Sequence, residues 1–162
     1  MSPEEKYAQL FEEMSLLCED QEWGDPFSYA RSKEILAANV LGHEVAKTFS
    51  GADAYREGHP CEYKSTTGKN CKGSYTGVSV QPTWADQITY LIQEKIVPYE
   101  HYYNRFENGR LVESWMIPGD LVHKILLPKF EKKYPTVLEK KDPRLSATVS
   151  WTEIQKYGVK VI

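Results

Sequence analysis

The chain has 162 residues, enough for one compact domain and too few for two halves that each bury a sizeable core. Hydrophobic residues make up 41% and charged residues 27%, which excludes a disordered chain, and no apolar run nears the ~20 residues of a membrane helix. The formal net charge of −3 excludes binding to nucleic acid through bulk charge, so any such contact must come from a local basic surface.

The start, Met1-Ser2-Pro3-Glu4-Glu5-Lys6, is neither basic nor apolar, so no signal peptide and a cytoplasmic location are expected. Residues Pro3 to Cys18 are predicted to form a helix, with Tyr7, Leu10, Phe11, Met14, Leu17 and Cys18 at helical spacing. Cys18, Cys61 and Cys71 are odd in number and irregular in spacing, which predicts free thiols rather than disulfides. Asp25-Pro26 offers an N-cap with proline in the first turn, and a long helix is expected from there to about Phe49. Its buried stripe would be Ile35, Ala38, Val40, Leu41, Val45 and Ala46, with Ser50-Gly51 as its end.

Strands follow. Asp53 to Arg56 and Cys61 to Thr66 flank a Glu57-Gly58-His59-Pro60 turn, the pattern of a hairpin. A basic loop from Thr67 to Gly73 leads to a third strand, Tyr75 to Val80, stopped by Pro82. Thr83 caps a helix from Trp84 to about Ile96. Residues 99–106 and 110–117 are read as a hairpin around Asn108-Gly109, and Gly119-Asp120 opens a helix to about Tyr134. Pro135 to Pro143 reads as a charged loop, Ser146 to Ser150 as a short strand, and Thr152 to Tyr157 as a brief helix. The fold class is α/β, a mixed sheet flanked by helices.

Gly51 to Thr66 carries the chemistry. Glu62 and Lys64 lie two apart on one strand and share a face, and the hairpin can bring Asp53 beside Glu62. Two adjacent carboxylates repel unless a cation lies between them, and hard oxygen donors favour Mg²⁺. Lys64 beside such a metal can position water and offset charge building on a phosphate. The bland reading of the same residues is an exposed hairpin with cross-strand charge pairing.

Gly51-Ala52-Asp53-Ala54 and Glu62-Tyr63-Lys64, separated by the turn, resemble the PD-(D/E)XK nuclease superfamily, which includes many type II restriction endonucleases. Ala52 stands where the proline of the family's first motif would be. The resemblance implies a restriction-endonuclease-like αβββαβ core over about residues 26 to 117, within a single nuclease domain of residues 1 to 162. It implies one or two Mg²⁺ ions held by Asp53, Glu62 and the backbone carbonyl of Tyr63. The further carboxylate of the family's helix would be Glu34, with Glu44 as the alternative. Lys64 would position the water that cleaves a DNA phosphodiester bond. A small chain of this kind is similar to a type II restriction endonuclease, a homodimer acting on double-stranded DNA alongside a separate cognate DNA methyltransferase. Repair, recombination and RNA-processing nucleases share the core, and a non-catalytic DNA-binding or assembly protein is the alternative of a different class.

Lys69 and Lys72, in the loop after the Glu62–Lys64 strand, are candidate phosphate contacts. Gln87 matches the place where some nucleases of the superfamily set a glutamine near the scissile phosphate; a helix-surface position is its other reading. Arg105, Arg110 and Arg144 are candidate DNA contacts or ordinary surface residues. His43, His59, Cys61 and Cys71 do not have the spacing of a zinc site.

Overall fold

A computed structural model describes residues 1–48 and 50–162. It is a mixed α/β structure with a central mixed sheet and flanking helices. In chain order the elements are α1 (Pro3–Asp20), α2 (Arg31–Leu41), β1 (Glu44–Val45), β2 (Ala54–Arg56), β3 (His59–Thr66), β4 (Gly73–Ser79), α3 (Trp84–Tyr90), β5 (Glu100–Glu107), β6 (Arg110–Pro118), α4 (Gly119–Leu138), β7 (Arg144–Val149), α5 (Trp151–Tyr157) and β8 (Val159–Lys160). A π-helical turn, Leu91–Lys95, continues α3.

Six strands form the central sheet in the order β1-β2-β3-β5-β6-β8, and only the β3–β5 pair is parallel. Side-chain alternation divides this sheet between two cores. Cys61, Tyr63, Tyr102 and Phe106 face α2 and pack on its buried Ala37 and Ala38. Tyr103 and Ile117 face the other way, into the larger core made with β4, β7, α4 and α5.

The third strand departs from expectation. β4 pairs antiparallel with β7 in a separate two-stranded sheet, which covers the larger core and does not extend the central sheet. Its partner lies about seventy residues away in sequence, beyond what a local pattern can specify.

The long helix predicted from Asp25 is also corrected. The Asp25 carboxylate accepts the Phe27 N–H at 2.9 Å, forming a turn, and Tyr29 then takes a left-handed φ of 50° that no helix tolerates. α2 starts only at Arg31 and ends at Gly42, whose φ of 73° suits glycine and closes the helix with a left-handed cap. Glu44 therefore lies on β1, not on the helix, and His43 lies between the two. The predicted end of the helix, Phe49, lies outside the described residues.

α4 runs four residues past its expected end, through both Pro128 and Pro135. An interior proline costs about 3 kcal/mol. Burial of Val122, Ile125, Leu126, Phe130, Tyr134 and Val137 along one stripe offsets that cost. α1 shows the reverse: its periodicity is real and Ser2 and Glu5 form a capping box, yet only Cys18 is buried. Tyr7, Leu10, Phe11, Met14 and Leu17 remain 42–69% exposed, with Phe11 stacked on Phe27 at 3.7 Å.

Among the described residues, no helix is long and apolar enough to cross a membrane. All three cysteines are free and buried.

Candidate active site

The β2–β3 hairpin turns through Glu57 and Gly58, both at positive φ, and pairs Ala54 with Cys61. One residue further along that register, Asp53 stands opposite Glu62. Here the ladder gives way to a side chain. The Asp53 N–H donates to the Cys61 carbonyl at 3.0 Å, and its Oδ2 accepts the N–H of Tyr63 at 2.7 Å. The Asp53 carbonyl accepts from the Ala46 N–H at 3.1 Å, which fixes the residue from the β1 side as well. The hairpin is anchored by Arg56, which donates two hydrogen bonds to the carboxylate of Glu100 on β5, at 2.9 Å from Nε and 2.5 Å from Nη2.

Asp53 is the most perturbed carboxyl of the molecule. Burial raises it, the neighbouring carboxylates Glu62 and Glu34 raise it further, and the Tyr63 N–H and Lys64 oppose them; the result is about 7. Such a shift marks a group that must either hold a proton near neutrality or face a cation. Glu34 reaches this neighbourhood from the first turn of α2, so Glu34 and Asp53 both line one cleft of about 470 Å³. Glu44 does not line that cleft.

Glu62 and Lys64 occur on one face of β3, and the Lys64 Nζ donates to Glu62 Oε1 at 2.7 Å. The ammonium also lies 4.7 Å from the centroid of the Tyr75 ring. Beneath the pair runs a chain of buried polar groups that the sequence did not single out. The parallel register aligns Glu62 with His101 and Lys64 with Tyr103. His101 Nε2 lies 2.8 Å from the Ile96 carbonyl, which can only accept, so that nitrogen carries the proton. His101 Nδ1 then accepts from the Tyr75 hydroxyl at 2.7 Å, and Tyr75 accepts from Tyr103 at 2.8 Å. Burial drops the His101 imidazole to about 4, so it is neutral and takes no part as an acid.

Arg31 was missed as well. It donates to Glu34 Oε2 at 3.1 Å, to the Trp23 carbonyl at 2.6 Å and to the Ala46 carbonyl, tying α2 to the segments on either side. Its spacing three residues before Glu34 on a helix was the available signal. Nothing comparable pointed to His101 or Tyr103, because β3–β5 pairing joins strands separated by a helix.

No family model matches this sequence, and a search of curated proteins found no match.

The remaining sequence candidates fall away from this cluster. Lys69 and Lys72 are exposed on the loop between β3 and β4. Arg105 is paired on the sheet surface with Glu107 and Glu113, its Nε donating to Glu113 at 3.0 Å, so its charge is already compensated. Gln87 is neither a DNA contact nor helix surface: it is fully buried, accepting the Gln81 N–H at 2.8 Å and donating to the Ser79 carbonyl at 3.1 Å. It joins the end of β4 to α3. His43 lies 2.6 Å from the Tyr63 hydroxyl, and burial lowers its pKa; His59 is exposed.

Among the described residues, no three His, Cys, Asp or Glu side chains stand close enough to hold a metal on their own. A cation here would draw on Asp53, Glu62 and main-chain oxygen. That donor set is hard and anionic, and a divalent cation would relieve the carboxylate repulsion that burdens Asp53, so the residues present fit Mg²⁺.

Proposed function

We propose that this protein is a Mg²⁺-dependent nuclease that hydrolyses DNA phosphodiester bonds. The observation that carries this reading is Asp53, a half-buried carboxyl that accepts the Tyr63 N–H, lines one cleft with Glu34, stands opposite Glu62 of the Glu62–Lys64 pair, and is raised to about 7. The chain order α2-β1-β2-β3-β4-α3-β5 supports a restriction-endonuclease-like αβββαβ core, with the two-residue β1 and the pairing of β4 with β7 as departures from it.

In this reading Asp53, Glu62 and the Tyr63 carbonyl would hold Mg²⁺, and Glu34 would support a second ion or an outer water. When bound, the ion supplies Lewis-acid stabilisation of the phosphate's developing charge. The chain's own work falls mainly to Lys64. Its ammonium is held between Glu62 and the Tyr75 ring, so few rotamers are open to it and it is oriented before substrate arrives. From there it positions the attacking water and offsets negative charge on a phosphate oxygen. Asp53 accepts the Tyr63 N–H, which fixes its carboxylate in the plane of the strand. The neutral Tyr103–Tyr75–His101 chain holds the floor of the site rigid and carries no net charge that would compete for substrate.

The biological setting that fits a small nuclease of this kind is a type II restriction endonuclease, working as a homodimer with a separate methyltransferase. The exposed apolar stripe of α1 is the surface that suits such pairing. One observation favours a non-catalytic DNA-binding protein: Lys64 already neutralises Glu62 without any metal.

Cleavage decides between them. Incubated with plasmid DNA and Mg²⁺, the protein is expected to produce discrete fragments. Asp53→Ala and Glu62→Ala should abolish cleavage while binding of DNA in Ca²⁺ survives. Lys64→Ala should lower the single-turnover rate by about a hundredfold, in the range for loss of one transition-state donor. Cleavage at the wild-type rate by both carboxylate variants would refute the assignment.

A further inference from the structure

The chain's net charge of −3 hides a strong asymmetry. Residues 119–144, α4 and the segment that leads into β7, hold seven lysines and arginines against four carboxylates. α1 alone carries six carboxylates against one lysine. Much of the basic excess gathers at one place. A cavity of about 510 Å³ between the C-terminal half of α4 and β7 is lined by Lys132, Lys133, Lys140 and Arg144, with Thr136 and Ser146, and by no carboxylate.

Four cations around one concavity repel each other, a cost that only some of them offset with contacts of their own. Two of the four are held in place by their own contacts. Lys133 donates to the Ser146 carbonyl at 2.6 Å, and Arg144 donates to Ser79 Oγ at 3.2 Å and faces Asp142 at 3.5 Å. Lys132 and Lys140 are exposed. Lys129, one turn back on α4, is spent on Glu153 and the Thr148 carbonyl, which draws β7 and α5 against the helix and fixes the cavity's far wall.

The arrangement suits an extended anion. Lys132 and Lys133 lie in the last two turns of α4, and Lys140 lies two residues beyond the helix end. Cations drawn from α4, from the turn after it and from the start of β7 offer separate contacts to successive phosphates of one strand. The cavity is also remote from Asp53. The N-terminus of α4 packs on the carbonyls of Ile96, Val97 and Tyr99, and Tyr99 in turn reaches the Gly51 carbonyl beside the site. Lys132 lies thirteen residues further along α4, roughly 20 Å away.

We infer that this α4–β7 face is a second contact surface for the phosphate backbone of double-stranded DNA, lying outside the hydrolytic site. It rests on the nuclease reading for the identity of the polyanion, though not for its own geometry.

The test measures binding of a 30-base-pair duplex by fluorescence anisotropy in EDTA, over 50 to 200 mM salt. The triple variant Lys132→Gln, Lys140→Gln, Arg144→Gln is compared with wild type, and the double variant without Arg144→Gln controls for its contact with Ser79. Loss of three phosphate contacts should reduce the slope of log affinity against log salt by about 2.7, and that of two by about 1.8. Affinity at the lower salt should fall at least about tenfold. Unchanged slope and affinity in both variants, with thermal melts like wild type, overturn the surface. So does a wild type that binds anionic lipid vesicles but no duplex. If the variants lose duplex binding while wild-type protein never cleaves DNA in Mg²⁺, the surface stands and the nuclease reading fails. If wild type cleaves and the variants bind normally, only the surface fails.

Discussion

Replacing Asp53 by asparagine separates the charge of this residue from its shape. The amide oxygen can still accept the Tyr63 N–H, so the hairpin should survive. In an unfolded chain the carboxyl ionises at its ordinary value of 3.8, whereas the folded protein holds it at about 7. Below 3.8 the carboxyl is protonated in both states and has no effect on their balance. Between 3.8 and about 7 the folded state keeps a proton that the unfolded state has lost, so stability falls as pH rises. Each pH unit of that window is worth about 1.4 kcal/mol, which sets a ceiling of about 4 kcal/mol lost above pH 7.

Asp53→Asn abolishes this loss. It should therefore be more stable than wild type at pH 8 by up to about 4 kcal/mol, or roughly 8–16 °C in melting temperature for a domain of this size. At pH 4 the two proteins should melt together. Comparing them at each pH removes the opposite trends of Glu100 and Glu113, whose partners hold them low. Calorimetry in EDTA across pH 4 to 8.5 makes the measurement, and repeating it with Mg²⁺ adds a second arm. A cation bound at Asp53 should raise the melting temperature of wild type at pH 8 and leave the variant unmoved. Equal stability at pH 8, or an advantage that persists undiminished at pH 4, would refute the reasoning.

Gln87→Ala should cost about 2–3 kcal/mol in urea unfolding, because it strands the buried Gln81 N–H and Ser79 carbonyl; a change below about 0.5 kcal/mol would mean the side chain is surface. Gly73→Ala places a Cβ 2.2 Å from Tyr103 Cε1 and 3.3 Å from Lys64 Cγ, so it should destabilise by about 1–3 kcal/mol and slow cleavage together. A variant with wild-type stability and rate would show that the floor of the site yields freely. Leu10→Glu with Leu17→Glu should convert a dimer to a monomer by light scattering, since neither side chain is buried within one chain; a wild type already monomeric at high concentration removes the α1 pairing.

What the sequence could reveal was set by how far apart the interacting residues are. The β2–β3 hairpin and the Asn108-Gly109 turn were legible, since turn chemistry and strand alternation act within a dozen residues. The order of the longer elements was recognisable too, but not the two-residue strands β1 and β8. The extent of α2 was not, because Asp25-Pro26 is as good a start for a turn as for a helix and only the backbone of Tyr29 decides. α4 was cut short at Pro135 by a rule that holds for isolated helices, and burial on one stripe overrode it. The α1 helix was legible from its periodicity, but an apolar face does not name what covers it.

The candidate site divides along the same line. Asp53, Glu62 and Lys64 are joined by one hairpin, so their proximity follows from local pairing and was visible in the spacing. Glu34 is brought to them by the packing of α2, Tyr75 by a strand from another sheet, and His101 and Tyr103 by a parallel partner across a helix. Those residues decide what Asp53 is. An aspartate at the same place in an open hairpin would titrate near its ordinary value and pair with Lys64. Burial and the repulsion of the neighbouring carboxylates turn it into a group at about 7, a repulsion that a divalent cation would relieve. The motif supplies the carboxylate, and the long-range packing supplies the burial and the neighbouring charge that shift it.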